Sequence, residues 1–392
     1  MSVRAMALPE PVLSSVTLDP AGVWRRESPR PAALRNASYE ARFDWLTLFY
    51  DVYRVDRHVV MQGPPLLNLF EPLRASTLLR GAFRPVFPRA HHVSRNKRGE
   101  IWLRSNAEKL HIDGPLGTFT LTVQPNLSDT FAGRRVLLTL SRNNAPRWIK
   151  DWIRFYAAEH GADAVLLYDN ASDVYSAQEL QEQLRTAFPA MPIIVVSWPF
   201  PYGPQGGAAG AVDGVEAPWD SDFCQTGTLQ HARFRFLLKA RSVLNVDIDE
   251  LVLSDQGRSI FAATETSRAG FIKFPGRWIS AATTAPRDAA TCRHADFVLS
   301  DRTVSAACPP KWCIVPSLRH ARRHSWSVHN VFNAPHNRTV SSEFTFRHMK
   351  PISDSWKEDR APHPVQEAAR FVRDEALAAA FARTGLARSG GD

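Results

Sequence analysis

Asp247 and Asp249 stand two apart in the run NVDIDELV. On a strand, that spacing would put both carboxylates on one face, because the side-chain period is two. Two carboxylates at the end of a buried strand repel unless a cation joins them. Hard oxygen donors suit Mg²⁺ or Mn²⁺. A metal held there could bridge the two phosphates of a sugar nucleotide and hold the leaving group. Asp249 is the better candidate for direct coordination, with Asp247 on the sugar, the ribose or a metal-bound water. The competing reading is an acidic strand end facing solvent, with Glu250 as one more charge. A DxD string alone is common, and its weight here comes from the apolar VLNV before it.

The elements that would position these residues show in the hydrophobic pattern. RRVLLTLSRNN reads as a buried strand and a polar loop. In RWIKDWIRFYAAEHG, Trp148, Trp152 and Phe155 share a helical face, and Gly161 suits a C-cap. AVLLYDNASD is a second buried strand. A helix over 176–187 follows, with Ser176 and Glu179 as a capping box, and PIIVVSWPF is a third strand. Buried strands alternating with helices imply a parallel sheet covered on both faces. Such sheets bind ligands beyond the carboxyl ends of their strands. That selects the loop from Ser141 to Asn144, where Arg142 could meet phosphate or stack on a base, and the loop at Asp169, placed to bind a base or ribose. A long Gly, Ala and Pro-rich loop spans 201–222. The run TLQHARFRFLLKA predicts a helix over 228–240 whose Arg233 or Arg235 could reach a diphosphate. Lys273 in GFIKFPGRW is another candidate anion contact, and Trp278 either stacks on an acceptor sugar ring or fills the core.

Before these units, 39–123 alternates short apolar runs with turn signals and reads as β-rich, with HHVSRNKRG as a solvated turn. The first 35 residues, rich in Pro, Ser and Arg, read as an extended lead-in. The expected division is therefore a lead-in at 1–35, a small β-rich region at 36–130, an α/β catalytic domain at 131–362, and a helix with a polar tail at 363–392.

Composition narrows the classes. The chain has 392 residues, 44% hydrophobic, enough for a substantial core, and a net charge of +9. That charge fits nucleic acid, a nucleotide diphosphate or anionic lipid. The arginines are spread rather than gathered in one tract, so no nucleic-acid partner is expected. None of the four cysteines forms a CxxC pair, which predicts free thiols in a reducing compartment. No run reaches the length of a membrane helix, and the start has no signal-peptide pattern. The expected protein is cytoplasmic, possible at the inner face of the membrane through peripheral contact. SRNNAPRW after the first strand is no Gly-rich dinucleotide fingerprint, and no P-loop string occurs. A glycoside hydrolase would need paired carboxylates across the glycosidic bond, and the adjacency of Asp247 and Asp249 suggests metal binding instead.

The pieces SRNNAPRWIKDWIRFYAAEHGADAVLLYDNASD, VLNVDIDELV, KFPGRW, HNV and FRHMKPISDSW together resemble glycosyltransferase family 92 and related family-2-like enzymes of the GT-A fold. The resemblance covers about 136–360 and leaves the start of the chain outside. It implies a GT-A fold behind a β-rich N-terminal region, and a hexosyl transfer from a nucleotide sugar, usually UDP-linked, with catalytic Mn²⁺ (or Mg²⁺) and inversion at the anomeric carbon. It puts Arg142 and Asn143 near the nucleobase, Asp169 on base or ribose, and Asp247 and Asp249 in the metal motif. His329 in SVHNV resembles the later histidine that completes the metal or diphosphate site. The competing reading of His329 is a half-buried residue donating to a backbone carbonyl. His348 in FTFRH is a further phosphate candidate. Inversion needs a general base near the acceptor hydroxyl, and Glu265, Asp301 and Glu343 are the candidates. The acceptor would be a glycan, in bacterial polysaccharide synthesis. A metal-dependent nucleotidyl or phosphosugar transferase and a non-catalytic carbohydrate-binding protein of the same fold are the alternatives.

Overall fold

The computed structural model describes residues 8–95, 97–204, 211–212, 215–216, 220, 223–352, 362–365 and 369–387. The chain forms two compact units. The larger takes Met1–Leu8, Thr130–Trp198 and Leu237–Asp392, the smaller Pro9–Asp129 and Pro199–Phe236. Contacts thus assign 199–236 to the amino-terminal unit and 363–392 to the larger one, unlike the linear division read from the sequence. Most of the loop 201–222, residues 353–361, which take in the end of the FRHMKPISDSW piece, and the tail from 388 lie outside the described residues.

The larger unit is built on one mixed sheet. Its strands are β1 (Arg135–Ser141), β2 (Ala164–Asp169), β3 (Ile193–Ser197), β4 (Ser242–Asn245), β5 (Glu250–Ser254), β6 (Phe271–Ile279), β7 (Cys308–Ile314) and β8 (Phe344–Met349). Their spatial order is β3-β2-β1-β4-β7-β6-β8-β5. β1 to β4 are parallel, and β6 and β8 run the same way, while β7 and β5 are antiparallel. One rim of the sheet therefore collects the carboxyl ends of six strands and the beginnings of β5 and β7.

Helix α1 (Pro146–His160) joins β1 to β2. Proline opens it, where its missing N–H costs nothing, and Gly161 at φ 70° closes it in the left-handed region. Its apolar stripe, Trp148, Trp152 and Phe155, is buried, each ring contributing roughly 2–3 kcal/mol by leaving water. Helix α2 (Ala177–Ala187) carries the expected capping box of Ser176 and Glu179. Helix α3 (Ile260–Thr266) follows β5. At the end of the chain, Phe371–Arg373 is a strand, and Asp374 caps a helix α4 over Glu375–Arg383, shorter than the sequence run had indicated.

The smaller unit has a four-stranded antiparallel sheet in the order Asp51–Val55, His58–Gly63, Arg98–Arg104, Ala90–Arg95. HHVSRNKRG, read as a solvated turn, instead supplies facing edges of two paired strands. The run expected as a helix over 228–240 is an α-helix over Phe223–His231 followed by a π-helical turn over Ala232–Phe236. Arg235 turns inward to Asp51, which is fully buried and needs donors. Asp51 accepts from His231 Nε2 at 2.9 Å, Arg235 Nη1 at 2.7 Å and the Ser14 N–H at 2.7 Å. Burial would raise this carboxyl, and the His231 hydrogen bond and the Arg235 charge instead hold it low.

Candidate active site on the carboxyl rim of the large sheet

The order β3-β2-β1-β4 means that the chain builds outward on one side of β1 and then returns to the other. The connections after β1 and β4 leave in opposite directions, opening a crevice at their carboxyl ends. Asp247 and Asp249 lie there, immediately after β4.

They do not stand on the strand. β4 ends at Asn245, and the acids occupy a turn before β5. The Glu250 carboxylate accepts the Asp247 N–H at 2.9 Å, while the Glu250 N–H donates to the Asp247 carbonyl at 3.1 Å. This reciprocal pair replaces ladder bonds and ends the strand. Asn245 donates from Nδ2 to the Val328 carbonyl at 3.0 Å, tying the strand end to the segment before His329.

Each acid of the turn meets a cation. Lys311, midway along β7 and fully buried, donates to Asp247 Oδ2 at 2.7 Å and lies 3.2 Å from Glu250 Oε2. Burial would strip its proton, but the two carboxylates outweigh it and raise its affinity. Burial pushes Glu250 up to about 7 against the pull of Lys311. His348, at the end of β8, donates from Nε2 to Asp249 Oδ2 at 3.0 Å, and its Nδ1 lies 3.9 Å from Glu250 Oε1. Burial works against its charge, but Asp249 overrides it and holds the imidazole protonated, raised to about 11. Trp278, the register partner of His348 on β6, stacks on it at 4.2 Å and so fixes the ring. Asp247 remains 39% exposed, the most open of the three acids.

Beside this turn, the loops after β1 and β2 are laced together. Asp169 accepts from the Ser172 hydroxyl at 2.5 Å and the Ser172 N–H at 3.1 Å. Ser172 Oγ accepts the Asn143 N–H at 2.8 Å, and Asn143 Oδ1 accepts the Asp173 N–H at 2.9 Å. Asn143 holds φ 54° and Ala171 the same value, two non-glycine residues in the left-handed region on one loop pair. Burial raises the Asp169 carboxyl despite Ser172 and the charge of Arg142, and Arg142 itself is exposed.

The remaining sequence candidates fall elsewhere. Glu265 on α3 receives Arg135 in a two-point fork at 2.9 Å and 2.9 Å, and the Ser242 hydroxyl at 2.7 Å. Arg135 and Ser242 open β1 and β4, so Glu265 sits at the opposite rim. Glu343 precedes β8 and is held by Arg258 and by Ser254, the last residue of β5, again at that rim. Five strand residues, roughly 17 Å, separate it from His348. Asp301 ends a short strand paired with Phe371–Arg373, and Arg370 at 2.7 Å and Thr303 occupy it and hold its carboxyl far below the usual range. All three are clamped, and none is placed as a free proton acceptor. Lys273 donates to Asn330 Oδ1 at 2.8 Å and to the Asn337 carbonyl at 2.9 Å, bracing that loop rather than facing an anion. Arg235 belongs to the smaller unit, with Asp51. His329 makes the contact of its competing reading, Nδ1 to the Pro310 carbonyl at 3.1 Å. Pro310 precedes Lys311, so His329 flanks the acids, and His348 meets Asp249.

A divalent cation fits this rim in a limited way. Among the described residues, no group of three or more His, Cys, Asp or Glu side chains is arranged to hold a metal. Asp249 Oδ2 and His348 Nε2 face each other, with the more open Asp247 beside them, and a cation entering there would displace the Nε2 proton. A carboxylate pair completed by substrate phosphate and water, rather than a full protein cage, is the usual construction for Mg²⁺. An added imidazole nitrogen suits Mn²⁺.

Lys311 was missed from the sequence, although a lone lysine in the apolar run KWCIV signals a buried partner. The pairing of His348 with Asp249 had no local signal, since it depends on β8 lying against β5.

The site belongs to a mixed α/β protein that gathers its polar groups on one rim. No family model and no curated protein matches the chain. Among solved structures, the galactosyltransferase LgtC in complex with donor and acceptor sugar analogs is similar at 13% identity and a TM-score of 0.25, over 48% of this chain and 60% of that one. An active-site mutant of LgtC gives 12% identity and a TM-score of 0.24, with the same coverage. The chain thus spans 60% of the length of these neighbours. Likenesses of this degree assign neither fold nor activity.

Proposed function

We propose that this protein is a metal-dependent glycosyltransferase of GT-A type, resembling family 92, that moves a sugar from a UDP-linked donor to a glycan hydroxyl with inversion. The observation that carries the reading is the acidic turn Asp247–Glu250 at the switch point of the sheet, with Asp249 facing His348 at 3.0 Å. Asp247, Asp249 and, once the cation displaces its Nε2 proton, His348 would hold Mn²⁺ or Mg²⁺. When bound, the metal would neutralise charge developing on the departing diphosphate. Glu250 and Lys311 fix the turn, and Trp278 fixes the His348 ring. Asp169, oriented by Ser172, accepts from the ribose or base, and Arg142 meets base or phosphate from the neighbouring loop. The expected setting is bacterial polysaccharide synthesis in the cytoplasm.

The test is calorimetric titration of UDP-, GDP-, CMP- and dTDP-sugars, with and without Mn²⁺. One donor binds only with Mn²⁺, and His348→Ala weakens that dependence by about tenfold or more. Absence of donor binding across the panel, or a metal titration untouched by His348→Ala, overturns the reading. Product analysis separates sugar transfer from nucleotidyl or phosphosugar transfer.

A further inference from the structure

A cavity of about 240 Å³ opens in the smaller unit. Arg57, Arg89 and Arg104 line it, with His58, His91 and Pro88. The strand register gathers them. His58 pairs with Arg104 across the sheet, and the Arg104 N–H donates to the Arg89 carbonyl at 2.7 Å. Arg57 ends the turn that leads into His58.

No Asp or Glu lines the cavity. No ion pair reaches Arg57, Arg89 or Arg104 among the described residues. Some other arginines of this unit meet acids: Arg26 meets Asp44, Arg30 Asp220, Arg74 Glu71 and Arg98 Glu100. Guanidinium groups keep their charge at any physiological pH, so three exposed around one mouth favour an anion there, and Arg89 Nη2 also donates to the Leu78 carbonyl at 3.3 Å. Their planar forks match phosphate oxygens.

The wall is set in advance. His91 stacks on Trp102 at 5.9 Å and 10°, and His58 stands edge-on to both rings. Pro88 continues from Val86 and Phe87, which are 68% and 91% exposed. Phe87 holds φ 54°, a strained value for a bulky residue, between Pro85 and Pro88. An apolar tip held out beside a cationic cavity suits the boundary between headgroups and acyl chains.

We infer that this cavity is a binding site for a phosphate-bearing ligand, held by Arg57, Arg89 and Arg104. The phosphate can come from a free ion or ester, or from a lipid headgroup. In the second case Val86 and Phe87 enter the bilayer.

The full chain is titrated calorimetrically with inorganic phosphate, and sedimented with phosphatidylcholine vesicles with and without phosphatidic acid. Saturable binding to one probe is expected. The Arg57→Gln/Arg104→Gln variant loses it by about tenfold or more. The charge-matched Arg74→Gln/Arg80→Gln variant, altered outside the cavity, keeps it. A lipid source shows as phosphatidic-acid-dependent sedimentation that Phe87→Ser also reduces. A free source shows as phosphate binding that Phe87→Ser leaves unchanged. Thermal unfolding checks that each variant is folded. Failure of both probes, or equal loss in the two double variants, overturns the site.

Discussion

The two rims of the large sheet hold acids by different means. At the amino rim, Glu265 and Glu343 sit in guanidinium forks, with Arg135 and Arg258 gripping both oxygens of each. At the carboxyl rim, Asp247 meets the point charge of Lys311, and Asp249 meets an imidazole. A fork satisfies a carboxylate and closes it to other ligands. A lysine or histidine leaves lone pairs to spare. The contrast extends to the histidines. His160 braces α1 against β5 and α3, with Nε2–H donating to the Val252 carbonyl at 2.8 Å and Nδ1 accepting the Ile260 N–H at 3.2 Å. Burial without a close acid partner drives it down to about 4. His348, also mostly enclosed, is raised to about 11 because Asp249 outweighs burial. Presence of an acid on a strand end therefore says little; the type of its partner decides how much of it stays open to another ligand.

The sharpest way to break this contrast is one carboxamide at each rim. Asp249→Asn is expected to lower metal-dependent transfer by about a thousandfold with an unchanged circular dichroism spectrum. Glu265→Gln should leave the rate within about twofold. Equal losses from the two would erase the distinction.

Next in size is Lys311→Met, which keeps the stem and removes the charge. It leaves the buried Glu250 without its cation and should cost about 3 kcal/mol of unfolding free energy, read by urea titration. A change within about 0.5 kcal/mol would mean that the turn does not depend on the lysine.

The smallest expected effect concerns His160. Its folded value lies near 4 against 6.5 for the ordinary group. The unfolded chain therefore binds a proton between these values that the folded chain refuses. Stability is fully present above pH 6.5 and falls as pH drops toward 4, by at most about 3 kcal/mol. His160→Gln should flatten that acid limb in urea unfolding at successive pH values. An unaltered slope would show that His160 is not its source.

Much of the sheet was legible in the chain. The strand at Val136, the α1 stripe of Trp148, Trp152 and Phe155, and the cap at Ser176 all rest on local periodicity or local hydrogen bonding, and these survive folding. The acidic turn was harder. N-V-D-I-D-E alternates as a strand would, and only the Glu250 carboxylate reaching the Asp247 N–H breaks the ladder. The partners of the acids were not legible, because Lys311 and His348 arrive from strands 64 and 99 residues further along. The helix at Phe223–His231 was masked by mixed polarity, its faces being buried on all sides.

The division into two units bears on synthesis. The smaller unit needs Pro199–Phe236 as well as Pro9–Asp129. A growing chain must therefore release β1, β2 and β3 of the larger unit before the smaller one can close. Those three parallel strands then wait for β4, which cannot emerge until the smaller unit's last residue has been made. Neither unit is a continuous stretch of translation product, and the nascent chain carries an unfinished sheet edge through that interval, a template for wrong pairing that a chaperone would have to shield.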